Sequence, residues 1–323
     1  MANNIHKQPA KMLKNIKFCS INIDGFSERS KFVMNNYNHS EEFDVLFMQE
    51  TLTDDLSRLE LNNMSVICDT NKAVNRGVAL YVHEKHSITK LDTISNLSKN
   101  IDSCWGLVII RKKRYIIGNV YVRHNFKAAM NDISRMLAEA EKLQKRHKAA
   151  GILLSGDFNA RHQSWGDKIN NYYGNQLAEA LDYTKYSICT SKTPTFSGSH
   201  GASSIIDLNI ISNNLAESIS SCKTDEEVEL YSGAPNRGHF PLITELTQSG
   251  NCTNSPVIEK LDIDKMKWDD WTQHIEQKIL ENSPVFSTGD DPYTIWNSLN
   301  EILTQATDKF CPSKKSSVHS RPY

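Results

Sequence analysis

Asp157 and Asn159 stand directly after a short apolar run, Ile152 to Leu154, and a Ser155-Gly156 step. The run reads as a buried strand that stops at a turn. If the backbone stays extended, the two side chains point the same way, because alternate residues share a face. A carboxylate and a carboxamide so placed suit a hard cation and a phosphate oxygen. An Asx-rich turn closing a strand would use the same residues. The pattern recurs along the chain. Asn22 ends an apolar, β-branched stretch over 16–23, just before Gly25. Glu50 follows the apolar run 43–48. A carboxylate there needs a cation or hydrogen-bond donors, because burying it unpaired is costly; a metal or an Arg or Lys partner would serve. Tyr121 falls at the end of another strand pattern, 115–122. Asp207 sits in the middle of an otherwise plain buried strand, 204–212, and must be paired with a histidine or a cation. His239 lies at a loop–strand junction, where a histidine can also be a surface or satisfied core residue.

The elements that must position these residues follow from periodicity. Further strands are expected over 65–68, 77–82 and 105–110, the last forming a hairpin with 115–122. Its tip is Arg111-Lys112-Lys113-Arg114, either a solvated turn or a set of phosphate contacts. Helices are expected over 31–39, 126–148 and 177–181. In the second, Met130, Ile133, Met136, Leu137 and Leu143 form a core-facing stripe. Residues 1–14 read as a disordered N-terminus and 15–247 as the main domain. A Ser/Asn-rich linker and two amphipathic helices, 266–280 and 293–310, occupy 248–311, and 312–323 reads as a disordered tail. Strand after strand thus ends in Asn22, Glu50, Tyr121, Asp157, Asn159 and Asp207, with His239 beyond them. That is one mouth at one edge of packed sheets. It offers carboxylates to a divalent ion, amides and a phenol to phosphate oxygens, and an Asp–His pair for proton transfer.

Composition narrows the partners. The 323 residues are 39% hydrophobic and 23% charged, ordinary for a globular protein. A net charge of −1 supplies no global field for nucleic acid, so any such contact must be local. The seven cysteines are scattered singly, which argues against a disulfide framework and a zinc site. Oxygen ligands without cysteine clusters favour Mg²⁺ or Mn²⁺ over zinc. The N-terminus lacks the apolar core of a signal peptide, and no apolar run is long enough to cross a bilayer.

The order Asn22-Ile-Asp-Gly25, Gln49-Glu50-Thr51, Val120-Tyr121, Gly156-Asp-Phe-Asn159, Ile206-Asp-Leu208 and Gly238-His239 resembles the endonuclease/exonuclease/phosphatase superfamily. Asn159-Ala-Arg-His162, Trp165-Gly166 and Pro194-Thr195-Phe196 further resemble the apurinic-like endonuclease domains of non-long-terminal-repeat retrotransposons. The resemblance implies a four-layer α/β sandwich: two packed, mainly antiparallel sheets flanked by helices, here with a short helical C-terminal extension. It implies metal-dependent nicking of one DNA strand to leave a 3′-hydroxyl that primes reverse transcription. Glu50 would bind the metal with Asp157 and Asn159. Asn22 and Asn159 would hold the scissile phosphate. Tyr121 would donate to a phosphate oxygen or the leaving group. His239, oriented by Asp207, would act as general base or phosphate-stabilising partner, Asp157 would align or activate water, and Thr195 would touch the substrate backbone. The expected partners are DNA, element RNA and a reverse transcriptase of the parent polyprotein, whose polymerase part this chain lacks. A monomer working in the nucleus, or in the cytoplasm before import, is expected.

One departure matters. The family's last motif is Ser-Asp-His, where this chain has Arg237-Gly238-His239. Losing that carboxylate should weaken metal affinity or proton-transfer geometry, by about 10- to 100-fold for a supporting residue. Two alternatives therefore stand beside the active nuclease: a catalytically weakened or inactive nucleic-acid-binding remnant, and another phosphodiesterase of the superfamily.

Overall fold

The computed structural model describes residues 14–53, 55–69, 77–98, 101–123, 129–181, 184–198, 201–228, 238–247, 259–261, 265–282, 292–311 and 313–315. The chain forms two compact units, divided between Cys252 and Thr253.

Two six-stranded sheets make the first unit. One runs, in spatial order, β13 (Ile219–Thr224), β15 (Leu242–Leu246), β1 (Ile16–Asn22), β2 (Val45–Gln49), β4 (Val78–His83) and β3 (Met64–Cys68). The other runs β5 (Ser87–Lys90), β6 (Ile101–Ile110), β7 (Lys113–Val122), β8 (Gly151–Asp157), β12 (Asp207–Ser212) and β9 (Tyr186–Cys189). Only β1–β2 and β7–β8 pair in parallel; the other pairs within these sheets are antiparallel. A small three-stranded sheet, β11 (Ser203–Ser204), β10 (Phe196–Ser197) and β14 (Gly238–His239), carries the last motif.

Strand alternation builds the layers. Ile16 and Phe18 of β1, Val45 and Phe47 of β2, Tyr115 and Ile117 of β7 and Leu153 of β8 share one core between the sheets. The residues between them point outward, where helices cover them. Cys19, Ile21, Leu46 and Met48 meet Met34 and Tyr37 of α1 (Glu28–Glu41). Ile116, Ile152, Leu154 and Ile210 meet the stripe of α3 (Ala129–His147) and Leu177 of α4 (Tyr172–Leu181). Two single-turn helices, α2 (Asp92–Ser95) and α5 (Asn213–Ala216), add Ile94 and Leu215 to these cores. The four-layer sandwich expected from the motifs is the fold.

Several expectations need correction. Asp207 opens β12 rather than sitting mid-strand. Ile205 and Ile206 leave the ladder because side chains take their amides: Asp167 Oδ2 accepts from Ile205 at 2.7 Å and Thr195 Oγ1 from Ile206 at 3.0 Å. The helix expected over 177–181 begins at Tyr172.

In the second unit, α6 (Trp268–Glu281) and α7 (Pro292–Phe310) pack through Ile275, Ile302 and Ala306. Residues 313–315, expected to be disordered, form β17 (Ser313–Lys315), antiparallel to β16 (Glu259–Leu261). Of the N-terminus expected to be disordered, 1–14, residues 1–13 lie outside the described residues, as do 312 and 316–323 of the expected tail.

Candidate active site

The faces that build the core between the sheets turn polar along their length. On β1 the inward series is Ile16, Phe18, Ser20, Asn22; on β2 it is Val45, Phe47, Gln49; on β7, Tyr115, Ile117, Asn119, Tyr121. On β8 and β12 the series end in Asp157 and Asp207. A belt of buried amides marks the boundary. Gln49 Nε2 donates to Asn119 Oδ1 at 2.7 Å and to Ser20 Oγ at 3.2 Å. Asn119 Nδ2 donates to the Met48 and Ala79 carbonyls of the opposite sheet at 2.8 and 2.9 Å. Beyond this belt lies the mouth.

Register brings the mouth residues together. Tyr121 pairs with Asp157 across β7–β8, and Asp157 with Asp207 across β8–β12. Gly156 makes the first pairing possible: a Cβ there would stand 1.9 Å from the Val120 carbonyl oxygen. His239 reaches the cluster from β14, opposite Phe196 of β10, with the two rings 4.8 Å apart.

Hydrogen bonds then fix each side chain. Asn22 Nδ2 donates to Glu50 Oε1 at 2.8 Å and to Asp157 Oδ2 at 3.1 Å, so one amide spaces two carboxylates. Asp157 Oδ1 accepts the Asn159 amide at 2.9 Å. Asn159 Nδ2 donates to the Val122 carbonyl at 2.8 Å, leaving its own carbonyl oxygen as the end suited to a cation. His239 Nδ1 donates to Asp207 at 2.9 and 3.2 Å, while Nε2 lies 3.6 Å from Asp157 Oδ2. Asp24, Glu50 and Asn159 all hold positive φ, 44°, 52° and 48°. Such strain persists only where surroundings enforce it and gathers at functional sites.

Electrostatics follow from burial. Asp157 is 1% exposed. Burial pushes its carboxyl well above the usual range, with Asp207 adding to the rise against the opposing pull of His239. Burial disfavours a charged His239, but Asp207 and Asp157 outweigh it and raise its pKa. Burial and then Glu50 raise the Tyr121 phenol, which therefore stays a proton donor. The excess of buried negative charge and the all-oxygen set of Glu50, Asp157 and Asn159 fit a hard divalent cation. Asp157, Asp207 and His239 also offer ligand atoms within 4.8 Å of one another.

Seven of the eight residues singled out in the sequence thus meet or flank one another. Thr195 does not share their surface. It is fully buried, and its hydroxyl accepts the amides of Ile206 and Asp207, both at 3.0 Å. It anchors the start of β12. Asn22 directs both amide N–H groups to carboxylates, so it would have to release one to grip a phosphate, whereas Asn159 Nδ2 spends one N–H on the Val122 carbonyl and keeps the other for a phosphate oxygen. The motif residues Arg161 and Trp165 are scaffolding: Arg161 clamps Asp167 at 2.9–3.1 Å and Trp165 Nε1 reaches the Ile205 carbonyl at 3.4 Å. Sequence reading passed over Gln49 and Asn119, and Asp102, buried opposite Tyr121 in the β6–β7 ladder with Arg123 Nη2 3.9 Å away. The inward period of β7 would have flagged Asn119, two residues before Tyr121.

By its layers, register and mouth the protein has the endonuclease/exonuclease/phosphatase fold. Residues 115–232 match the family model described as endonuclease-reverse transcriptase, and the chain resembles retrotransposon endonucleases. The endonuclease domain of TRAS1, a telomere-specific non-LTR retrotransposon, superposes with a TM-score of 0.57 at 15% identity, over 72% of this chain and 99% of that domain. The AP endonuclease LMAP from Leishmania major gives 0.57 at 13% identity, over 73% of this chain and 89% of that one. Among curated proteins, the probable RNA-directed DNA polymerase from transposon BS of Drosophila melanogaster is 28% identical over 179 residues. That match covers 51% of this chain and only 18% of the relative's length.

Proposed function

We propose that the protein is a divalent-metal-dependent endonuclease that nicks one strand of DNA and leaves a 3′-hydroxyl, with Mg²⁺ as the ion and Mn²⁺ as a substitute. The observation that carries this reading is the line Asp207–His239–Asp157, joined through Asn22 to Glu50. A bound cation would be held by Glu50, Asp157 and the Asn159 carbonyl oxygen; it would offset charge developing on the phosphate. Asp207 holds His239 with Nε2 facing the mouth. The raised pKa of His239 suits a cationic partner for phosphate oxygens, while Asp157, beside the ion, would align or activate the attacking water. Tyr121 donates to a phosphate or leaving oxygen. The 3′-hydroxyl product, element RNA and a reverse transcriptase as partners, and work in the nucleus follow from the resemblance to retrotransposon endonucleases.

Gly238 favours a second reading, a copy with weakened chemistry that still binds nucleic acid. The two separate in one experiment: nicking of supercoiled plasmid with Mg²⁺ or EDTA by the natural chain, Glu50→Gln and His239→Ala. The first reading expects Mg²⁺-dependent nicking lost in both variants. A folded natural chain that does not nick but retains plasmid points to the second, and nicking undiminished in His239→Ala removes the proposed chemistry.

A further inference from the structure

The end of the second sheet away from the mouth carries cations that the proposed chemistry does not use. Arg111-Lys112 joins β6 to β7, and Lys113 and Arg114 open β7. The helix α3 ends beside them in Lys145, Arg146 and His147, with Lys148 next. The segments are tied together. The Arg114 carbonyl accepts the Ala150 amide at 2.7 Å, and the Arg114 guanidinium reaches the His147 carbonyl at 3.5 Å. Lys112, Lys113, Arg114, Lys145, Arg146 and Lys148 are all exposed. Among the described residues none of the six forms an ion pair with a carboxylate. In a chain of net charge −1 this is a local concentration.

The backbone adds an independent observation. Arg111 and Lys112 have φ of 49° and 71°, and Lys148 has 50°. A two-residue hairpin turn with both φ positive favours Asn-Gly, and a left-handed residue after a helix favours Gly or Asn. Cations hold all three strained positions. The helix dipole accounts for basic residues at the end of α3 but not for those in the turn.

We propose that this end of the sheet is a contact for the phosphodiester backbone of duplex DNA, separate from the cleaving mouth. Lys113 and Tyr121 lie at opposite ends of β7, about 26 Å apart at roughly 3.3 Å per residue. A duplex is the occupant because its charge, one per about 1.7 Å of axis, gains more from a fixed cation cluster than a single strand does. Contacts of this kind position DNA without reading its sequence.

The test measures binding of a short labelled duplex in EDTA, where the mouth presents its carboxylates without a cation. Lys112→Gly/Lys148→Gly gives two of the strained positions a residue their backbone prefers and leaves Arg111, whose guanidinium donates to the Lys14 and Asn15 carbonyls, in place. The variant should melt no lower than the natural chain, yet bind the duplex at least tenfold more weakly. Its slope of log affinity against log salt should fall by about 2, at about 0.9 per lost phosphate contact. A second variant, Lys113→Ser/Arg114→Ser/Lys145→Ser/Arg146→Ser, leaves the turn conformation alone and should also weaken binding. Unchanged affinity and slope in both variants overturn the proposal. Tighter binding of single-stranded RNA of the same length, lost in the same variants, overturns the choice of duplex DNA. Because binding is read in EDTA, the outcome is independent of whether the mouth cuts.

Discussion

Replacing Asp207 with asparagine isolates the part of the mouth that orients His239. Asp207 is fully buried, and both its oxygens receive the His239 Nδ1–H, at 2.9 and 3.2 Å. Asparagine keeps the shape and one acceptor but removes the charge. A hydrogen bond to a charged group contributes about 1.5–3 kcal/mol. At about 1.4 kcal/mol per tenfold, a contribution realised in the transition state becomes roughly 10- to 150-fold in rate. The loss should fall on kcat rather than KM, because Asp207 is buried behind the ring. A second readout comes from the histidine itself. Burial opposes its charged form and Asp207 is the largest influence raising its pKa, so Asp207→Asn should lower that pKa. Initial nicking rates on supercoiled plasmid at saturating Mg²⁺, with an NMR titration of the His239 ring in metal-free protein, check both. A folded Asp207→Asn that nicks at the natural rate would refute the role assigned to the pair.

Thr195→Val leaves two buried amides without their acceptor, at about 1–3 kcal/mol each; denaturant midpoints should fall accordingly while KM for DNA stays unchanged. Gly238 has φ of 89°, so Gly238→Asp should cost about 1–2 kcal/mol of stability. It should nevertheless lower the Mg²⁺ concentration needed for half-maximal nicking; an unchanged concentration would mean that Gly238 does not weaken the site. Burial raises Asp44, but hydrogen bonds from Lys85 and His86 outweigh it, and Arg161 does the same for Asp167; both carboxyls end below their ordinary 3.8. The unfolded chain therefore binds more protons in acid, and stability present above about pH 4 is lost as pH falls through the depressed values. Urea midpoints between neutral and acid pH should show a loss that Asp44→Asn makes shallower.

Much of the mouth was legible because strand ends are local events. An apolar run that stops at a polar residue is visible in a few residues, and Asn22, Glu50, Tyr121 and Asp157 were found that way. The stripe on α3 was legible for a similar reason: its buried residues, Met130 through Leu143, repeat at helical spacing. What escaped depends on pairing between distant segments. The edge strands β5, β9 and β13 are short and largely half-exposed, so they lack an apolar signature. Nothing local reveals that the Thr195 hydroxyl accepts two amides eleven and twelve residues away. The bridging amide of Asn22 joins residues 28 and 135 positions apart. Gln49 and Asn119 looked like ordinary strand polar residues; only the packing of two sheets makes them a belt.

That belt couples the site to the fold. A one-residue slip of any central strand would turn its core series outward and carry its mouth residue to the wrong face. Slipping β7 would withdraw Asn119 from the Met48 and Ala79 carbonyls and from Gln49, leaving buried groups unpaired at about 1–3 kcal/mol each. The same slip would take Tyr121 away from Asp157. The amide belt therefore penalises the misregistrations that would dismantle the mouth, whereas an apolar core alone tolerates rearrangement more readily. Gln49→Leu/Asn119→Leu leaves the Met48 and Ala79 carbonyls without their side-chain donor, so it should lower stability by about 1–3 kcal/mol per carbonyl and should reduce nicking further than the loss of folded protein accounts for. Equal losses in the two would mean that the belt supports the fold only in general.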